Sequence, residues 1–126
     1  MHTASAVPPP PAVLDAEALG RLRELDPAGK NQLLARVVTA FSKSLERLLP
    51  DLSQARGQQP ADLDGIRRVC HTLKSSSASL GALALSRRCA ELEAAARDGK
   101  LTATDARLDE LLQDIEQVRL ALNALV

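Results

Sequence analysis

From Leu14 onward, apolar side chains recur at steps of three and four residues, the spacing that gathers them on one face of an α-helix. Leu14, Ala18, Leu22 and Leu25 form a short first stripe that ends before Asp26-Pro27. Asp26 suits a helix N-cap and Pro27 the first helical position, where a missing backbone donor costs nothing. The second stripe is long: Leu34, Val37, Val38, Phe41, Leu45, Leu48, Leu49 and Leu52. Pro50 should kink that helix or end its regular part, because proline lacks the N–H and collides with the carbonyl four residues back. Gly57-Gln58-Gln59-Pro60 reads as a connector. A third helix is predicted from about Asp62 to Leu80, stopped by Gly81. A fourth runs from about Leu83 to Asp98, with Leu85, Cys89, Leu92 and Ala96 on its stripe and Gly99 behind it. The last takes Thr102 as its cap, with Asp105 three residues on, and carries Leu108, Leu111, Ile115, Val118, Leu122 and Leu125.

Four of these segments are long and their junctions short, and short junctions make neighbouring helices antiparallel. The expected fold is therefore all-α: an antiparallel up-down four-helix bundle with a short extra N-terminal helix, spanning residues 13–126. Composition agrees. Leu and Ala dominate and Phe41 is the sole aromatic residue, a poor supply for a β-sheet. Residues 1–12 hold the run Pro8-Pro9-Pro10-Pro11 among small residues and are expected to form a flexible tail outside the domain. Sixteen basic and sixteen acidic side chains give a formal net charge of zero, which argues against nucleic acid as a partner. No apolar run approaches the roughly twenty residues of a membrane span, and the start of the chain lacks a signal pattern, so a cytoplasmic location is expected. Cys70 and Cys89 are too few for a disulfide framework and read as small buried apolar residues.

The third helix carries the chemistry. At about 100° per residue, Leu63, Ile66, Val69, Cys70, Leu73, Ser77 and Leu80 share one face, the core face. His71 then projects to solvent, with Ser75 and Ala78 on its outward side, Ser79 flanking them, and Lys74 between the histidine and the core edge. Exposed helix faces normally carry long charged side chains, as this one does before the histidine at Arg67 and Arg68. After it, Ser75 to Ser79 are all small, and serine is a mediocre helix former, so propensity does not explain the run. An imidazole beside a clearing, with an ammonium one turn away, suits an approaching protein surface that bears a phosphoryl group. A solvated surface histidine and a serine run for close helix packing are the competing readings. The second accounts for Ser77 but not for the outward Ser75 and Ser79. Metal binding is not expected: His71 and Cys70 point apart, and His2 lies in the tail.

The run His71-Thr72-Leu73-Lys74-Ser75-Ser76-Ser77-Ala78-Ser79-Leu80-Gly81-Ala82 closely resembles the signature of histidine-containing phosphotransfer (HPt) domains, usually His-x-Leu-Lys-Gly-Ser, small residues, then Leu-Gly-Ala. Leu85 and Cys89-Ala90-Glu91-Leu92-Glu93 resemble the family's next helix, and Phe41 with Leu48-Leu49-Pro50-Asp51-Leu52 its second. The likeness spans roughly residues 33–99. It implies that His71 is the phosphorylated histidine and that Lys74 steadies the phosphoryl group. Ser75 stands where the family usually has glycine, and serine is small enough to keep the clearing. Arg97 lies on the fourth helix where some members carry a basic residue near the active face, and Glu93 sits one turn before it.

By the same resemblance, His71 takes a phosphoryl group from a receiver domain's phospho-aspartate and hands it to a second receiver. Arg67, Ser75, Ala78 and Ser79 would form the docking surface. The implied partners are response-regulator receiver domains and a hybrid sensor histidine kinase, of which this module could itself be a part, and the chain itself would be a monomer. Mg²⁺ is expected on the receiver and no cofactor on this chain. Without a glycine-rich phosphate loop, the chain is expected to be a phosphocarrier and not a kinase. A helical adaptor that binds a receiver or kinase without carrying phosphate is the alternative, and a purely structural bundle the third reading.

Overall fold

The computed structural model describes residues 13–30 and 32–126. Among these residues five α-helices follow one another: α1 (Ala16–Glu24), α2 (Leu33–Gly57), α3 (Leu63–Ser79), α4 (Leu83–Arg97) and α5 (Ala106–Asn123). No strand occurs among the described residues, and the all-α bundle with a short N-terminal helix is what the sequence predicts. The proline-rich tail lies outside the described residues.

Local chemistry sets most of the helix ends. The Asp15 carboxylate accepts from the Ala18 N–H at 2.9 Å, and the Asp62 carboxylate from the Gly65 N–H at 3.0 Å, so each satisfies a backbone donor that the first turn leaves free. The cap of α5 is Asp105, whose side chain accepts from the Arg107 N–H at 2.9 Å, and not Thr102. Asp26 does cap a helix, but from a distance. Pro27 opens a turn instead of α2, and the Asp26 carboxylate reaches forward to the Leu33 N–H at 3.1 Å, across a loop in which Gly29 and Gln32 have positive φ. The first stripe also shifts. Helix α1 ends at Glu24, and Leu25, its C-cap, is 73% exposed, while Leu19 is buried beside Ala18.

Pro50 neither breaks nor ends α2, which continues seven residues beyond it. Pro50 and Glu46, whose carbonyl loses its partner to the proline, both face solvent, where water can replace the missing donor. The buried residues of α2 to α5 form one cluster, including Phe41, Leu45, Leu52, Ile66, Leu73, Leu92, Leu108 and Leu111. Interhelical ion pairs close its flanks. Arg88 of α4 pairs with Asp114 and, at 2.7 Å, with Glu110 of α5, and Arg56 of α2 reaches Asp109 of α5 at 2.9 Å.

The α3–α4 contact is the most extensive in the bundle, and its turn fixes how the two helices register. Gly81 N–H donates to Ala78 O at 3.1 Å and Ala82 N–H to Ser77 O at 2.9 Å, the paired bonds of a Schellman C-cap, which needs a left-handed residue between them. Gly81 supplies it at φ +78°. Helix α1 docks on this turn: Asp15 N–H donates to Gly81 O at 2.7 Å, and a Cβ on Gly81 would sit 2.9 Å from the Ala18 Cβ. Gly81→Ala should therefore cost about 2 kcal/mol of unfolding free energy in urea titration, from left-handed strain and the clash with α1. An unchanged midpoint would mean that the turn is not constrained as described.

Candidate functional site

His71 lies on the exposed face of α3, its side chain 62% accessible, with Ser75, Ala78 and Ser79 exposed beyond it on the same helix. Cys70, Leu73 and Ser77 on the opposite side are fully buried. The helical projection thus divides α3 into core and clearing as the structure does. Among the described residues the buried Ser77 hydroxyl has no hydrogen-bond partner, as expected of a residue present for its small size at a close helix contact.

Across the Gly81 turn, α4 brings Glu93 level with His71. The two residues stand eleven positions on either side of Ala82, and in an antiparallel helical hairpin such positions face each other. The Glu93 carboxylate is only 13% exposed and is shared: Oε2 lies 2.7 Å from His71 Nδ1, and Oε1 accepts from Lys74 Nζ at 2.6 Å. The ammonium of Lys74 first, and the imidazole of His71 second, hold the Glu93 carboxyl below the usual carboxylate range. It is therefore ionised at neutral pH and can only accept hydrogen bonds. The proton between it and the imidazole must sit on Nδ1. In the neutral ring this leaves Nε2 as the atom with the free lone pair.

The N-terminal side of His71 is a fixed patch of charge. Arg67 donates to Asp64 Oδ1 through Nε at 3.1 Å and Nη2 at 2.8 Å, and Arg68 donates to Asp64 Oδ2 at 2.8 Å. Arg97 does not join the histidine: its guanidinium turns to Asp98 at 3.5 Å. Sequence reasoning passed over Asp64, which holds both arginines, and Ser86, whose hydroxyl donates to the Lys74 carbonyl at 2.9 Å. The i, i+3 and i, i+4 spacings from Asp64 to Arg67 and Arg68 were the readable signal for the first. Burial pushes the thiols of Cys70 and Cys89 up to about 12, so both are inert packing residues beside the site.

The Glu93 contacts have a pH consequence. A carboxyl whose pKa is lower in the folded chain than in the unfolded one adds stability above its unfolded value, here 4.5, and loses it as pH falls through the lower folded value. Urea midpoints should fall on acidification below that point, and less steeply in Glu93→Gln, which has no carboxyl to titrate. Parallel falls in both proteins would mean that Glu93 is not paired.

The comparisons with known proteins agree with this geometry. A model of the Hpt domain family matches residues 36–121, which include α3, α4 and the whole site. The chain is 28% identical over 113 residues to histidine-containing phosphotransfer protein 1 of Arabidopsis thaliana, a match spanning 90% of this chain and 73% of that protein. It is 26% identical over 98 residues to pseudo histidine-containing phosphotransfer protein 2 of Oryza sativa subsp. japonica, spanning 78% of this chain and 65% of that protein. Among solved structures it superposes on histidine-containing phosphotransfer protein B of Pseudomonas aeruginosa PAO1 with a TM-score of 0.67 and 27% identity, covering 89% of this chain and 92% of that one. An all-α bundle that presents an exposed histidine beside a lysine, and is matched by that model over most of its length, belongs to the histidine phosphotransfer (Hpt) domain family.

Proposed function

We propose that this chain is a phosphocarrier in a two-component phosphorelay, taking a phosphoryl group on His71 from a receiver's phospho-aspartate and passing it to a second receiver. The observation that carries the reading is the shared Glu93 carboxylate, which holds the His71 proton on Nδ1 and so frees Nε2. One of the similar proteins is named a pseudo phosphotransfer protein, so overall likeness does not separate a carrier from an adaptor. The imidazole and the tautomer that Glu93 favours support the carrier.

Nε2 attacks phosphorus in line with the acyl–phosphate bond; the P–N bond forms as the P–O bond to the aspartate breaks, and the aspartate leaves as carboxylate. Nδ1 keeps its proton throughout. The ring becomes positive as the P–N bond forms, and the Glu93 carboxylate, 2.7 Å away, balances that charge. The Lys74 ammonium, half-exposed at the edge of the site, neutralises phosphoryl oxygens. The receiver contributes Mg²⁺ and most of the catalysis, and this chain contributes a positioned nucleophile. Ser75, Ala78 and Ser79 form a low surface on which the receiver settles, and Arg67 and Arg68, clamped by Asp64, flank it.

The chain is mixed with a phosphorylated receiver and Mg²⁺ and assayed for acid-labile, base-stable phosphate. His71→Gln should lose all label while the bundle stays folded, since the side chain is exposed and outside the core. Lys74→Ala should slow transfer about 10- to 100-fold, the usual worth of a charge-assisted hydrogen bond. Ser75→Arg should block docking without unfolding the bundle. No label on a folded wild-type chain that binds its receivers would favour the adaptor reading.

A further inference from the structure

A helix hydroxyl can bond back to the carbonyl one turn earlier in its own helix, and among the described residues Thr39, Thr72, Ser76 and Ser79 do so. Ser86 does not. Its Oγ crosses from α4 to α3 and donates to the Lys74 carbonyl at 2.9 Å. A helical carbonyl has two lone pairs, so this bond adds to the backbone bond that the same oxygen can accept within α3. Lys74 is thereby held by α4 at both ends, its carbonyl by Ser86 and its ammonium by Glu93 at 2.6 Å. The bond is half-buried, at the turn of α3 from which the Lys74 stem departs and on which the serine clearing begins.

We infer that Ser86 is a positioning residue for phosphoryl transfer: its hydroxyl fixes the main chain at Lys74 so that the flexible ammonium arm starts from one place, within reach of both Glu93 and the phosphoryl group on His71. The inference rests on the phosphocarrier reading above. Lysine is a compact charge on a four-carbon arm with much rotamer freedom, so anchoring its root reduces the ordering needed when the phosphoryl group arrives.

The test uses the full chain as wild type, Ser86→Ala, Ser86→Thr, Lys74→Ala and the Ser86→Ala/Lys74→Ala double variant. Ser86→Ala should slow transfer from a phosphorylated receiver about 3- to 10-fold, the scale of one neutral hydrogen bond. Ser86→Thr, which keeps the hydroxyl, should recover to within about twofold of wild type. If Ser86 acts through the Lys74 arm, Ser86→Ala should add nothing to Lys74→Ala. Wild-type rates in Ser86→Ala overturn the inference. So does an equal further slowing in the Lys74→Ala background, which would mark Ser86 as general packing, or a folded Ser86→Thr as slow as the alanine variant.

The Lys74 ammonium signal in a proton–nitrogen spectrum gives a second readout that needs no receiver. It should be sharp in wild type and Ser86→Thr and exchange-broadened in Ser86→Ala. An unchanged signal in Ser86→Ala contradicts the inference. If no receiver labels the wild type, the carrier reading fails and this spectrum alone still decides the role of Ser86.

Discussion

The Glu93 carboxylate, mostly buried between α3 and α4, accepts from an imidazole with one oxygen and from an ammonium with the other. The arrangement of the site depends on that double contact. Without an ionised partner on Nδ1, the imidazole is free to exchange tautomers in solvent. Without a partner on Nζ, the lysine arm explores many rotamers. One negative charge, placed on the helix opposite, orders two long side chains whose own helix leaves them largely to water. It also sets a countercharge 2.7 Å from the ring, ready for any positive charge the ring takes on.

Placing a carboxylate to about an ångström across a helix interface demands a fixed register, and the bundle supplies it through small residues and a constrained turn. Gly81 takes the left-handed conformation that closes the C-cap of α3, and Ala82 follows with no exposed surface. Ser77, Cys70 and Cys89, all fully buried, keep the two helices close. Ser77 leaves a buried hydroxyl unpaired among the described residues, so close approach there outweighs the cost of one lost hydrogen bond. Helix α1 locks the turn from outside through Asp15 and Ala18. Register, turn and tautomer form one chain of dependence that runs from glycine to chemistry.

Much of this was legible in the sequence because apolar spacing is a direct consequence of helical geometry. The core faces of α3, α4 and α5 follow from it, as do the outward position of His71 and the small residues beyond. What failed was local competition that periodicity does not encode. Asp26 spends its carboxylate on Leu33, seven residues away, instead of opening a helix at Pro27. Pro50 does not end α2, and Leu25, just past the end of α1, is exposed although its backbone is still helical. The site was half legible. Lys74 lies one turn from His71 on the same helix, but the Glu93 contact is tertiary and requires the register of the α3–α4 hairpin. Equal spacing about Ala82 would have given that register. Nothing in the sequence marks Ser86, whose hydroxyl could equally have bonded within its own helix.

The most direct test of the account is the protonation pattern of the His71 ring in the unphosphorylated chain, read from its two nitrogen shifts at a pH where the ring is neutral. Only two histidines are present, so comparison with His71→Gln assigns the signals. The account predicts a protonated Nδ1 and a bare Nε2, with the pattern lost in Glu93→Ala. A ring protonated on Nε2 in the wild type would contradict it, because the nitrogen assigned as nucleophile would then have no lone pair to offer.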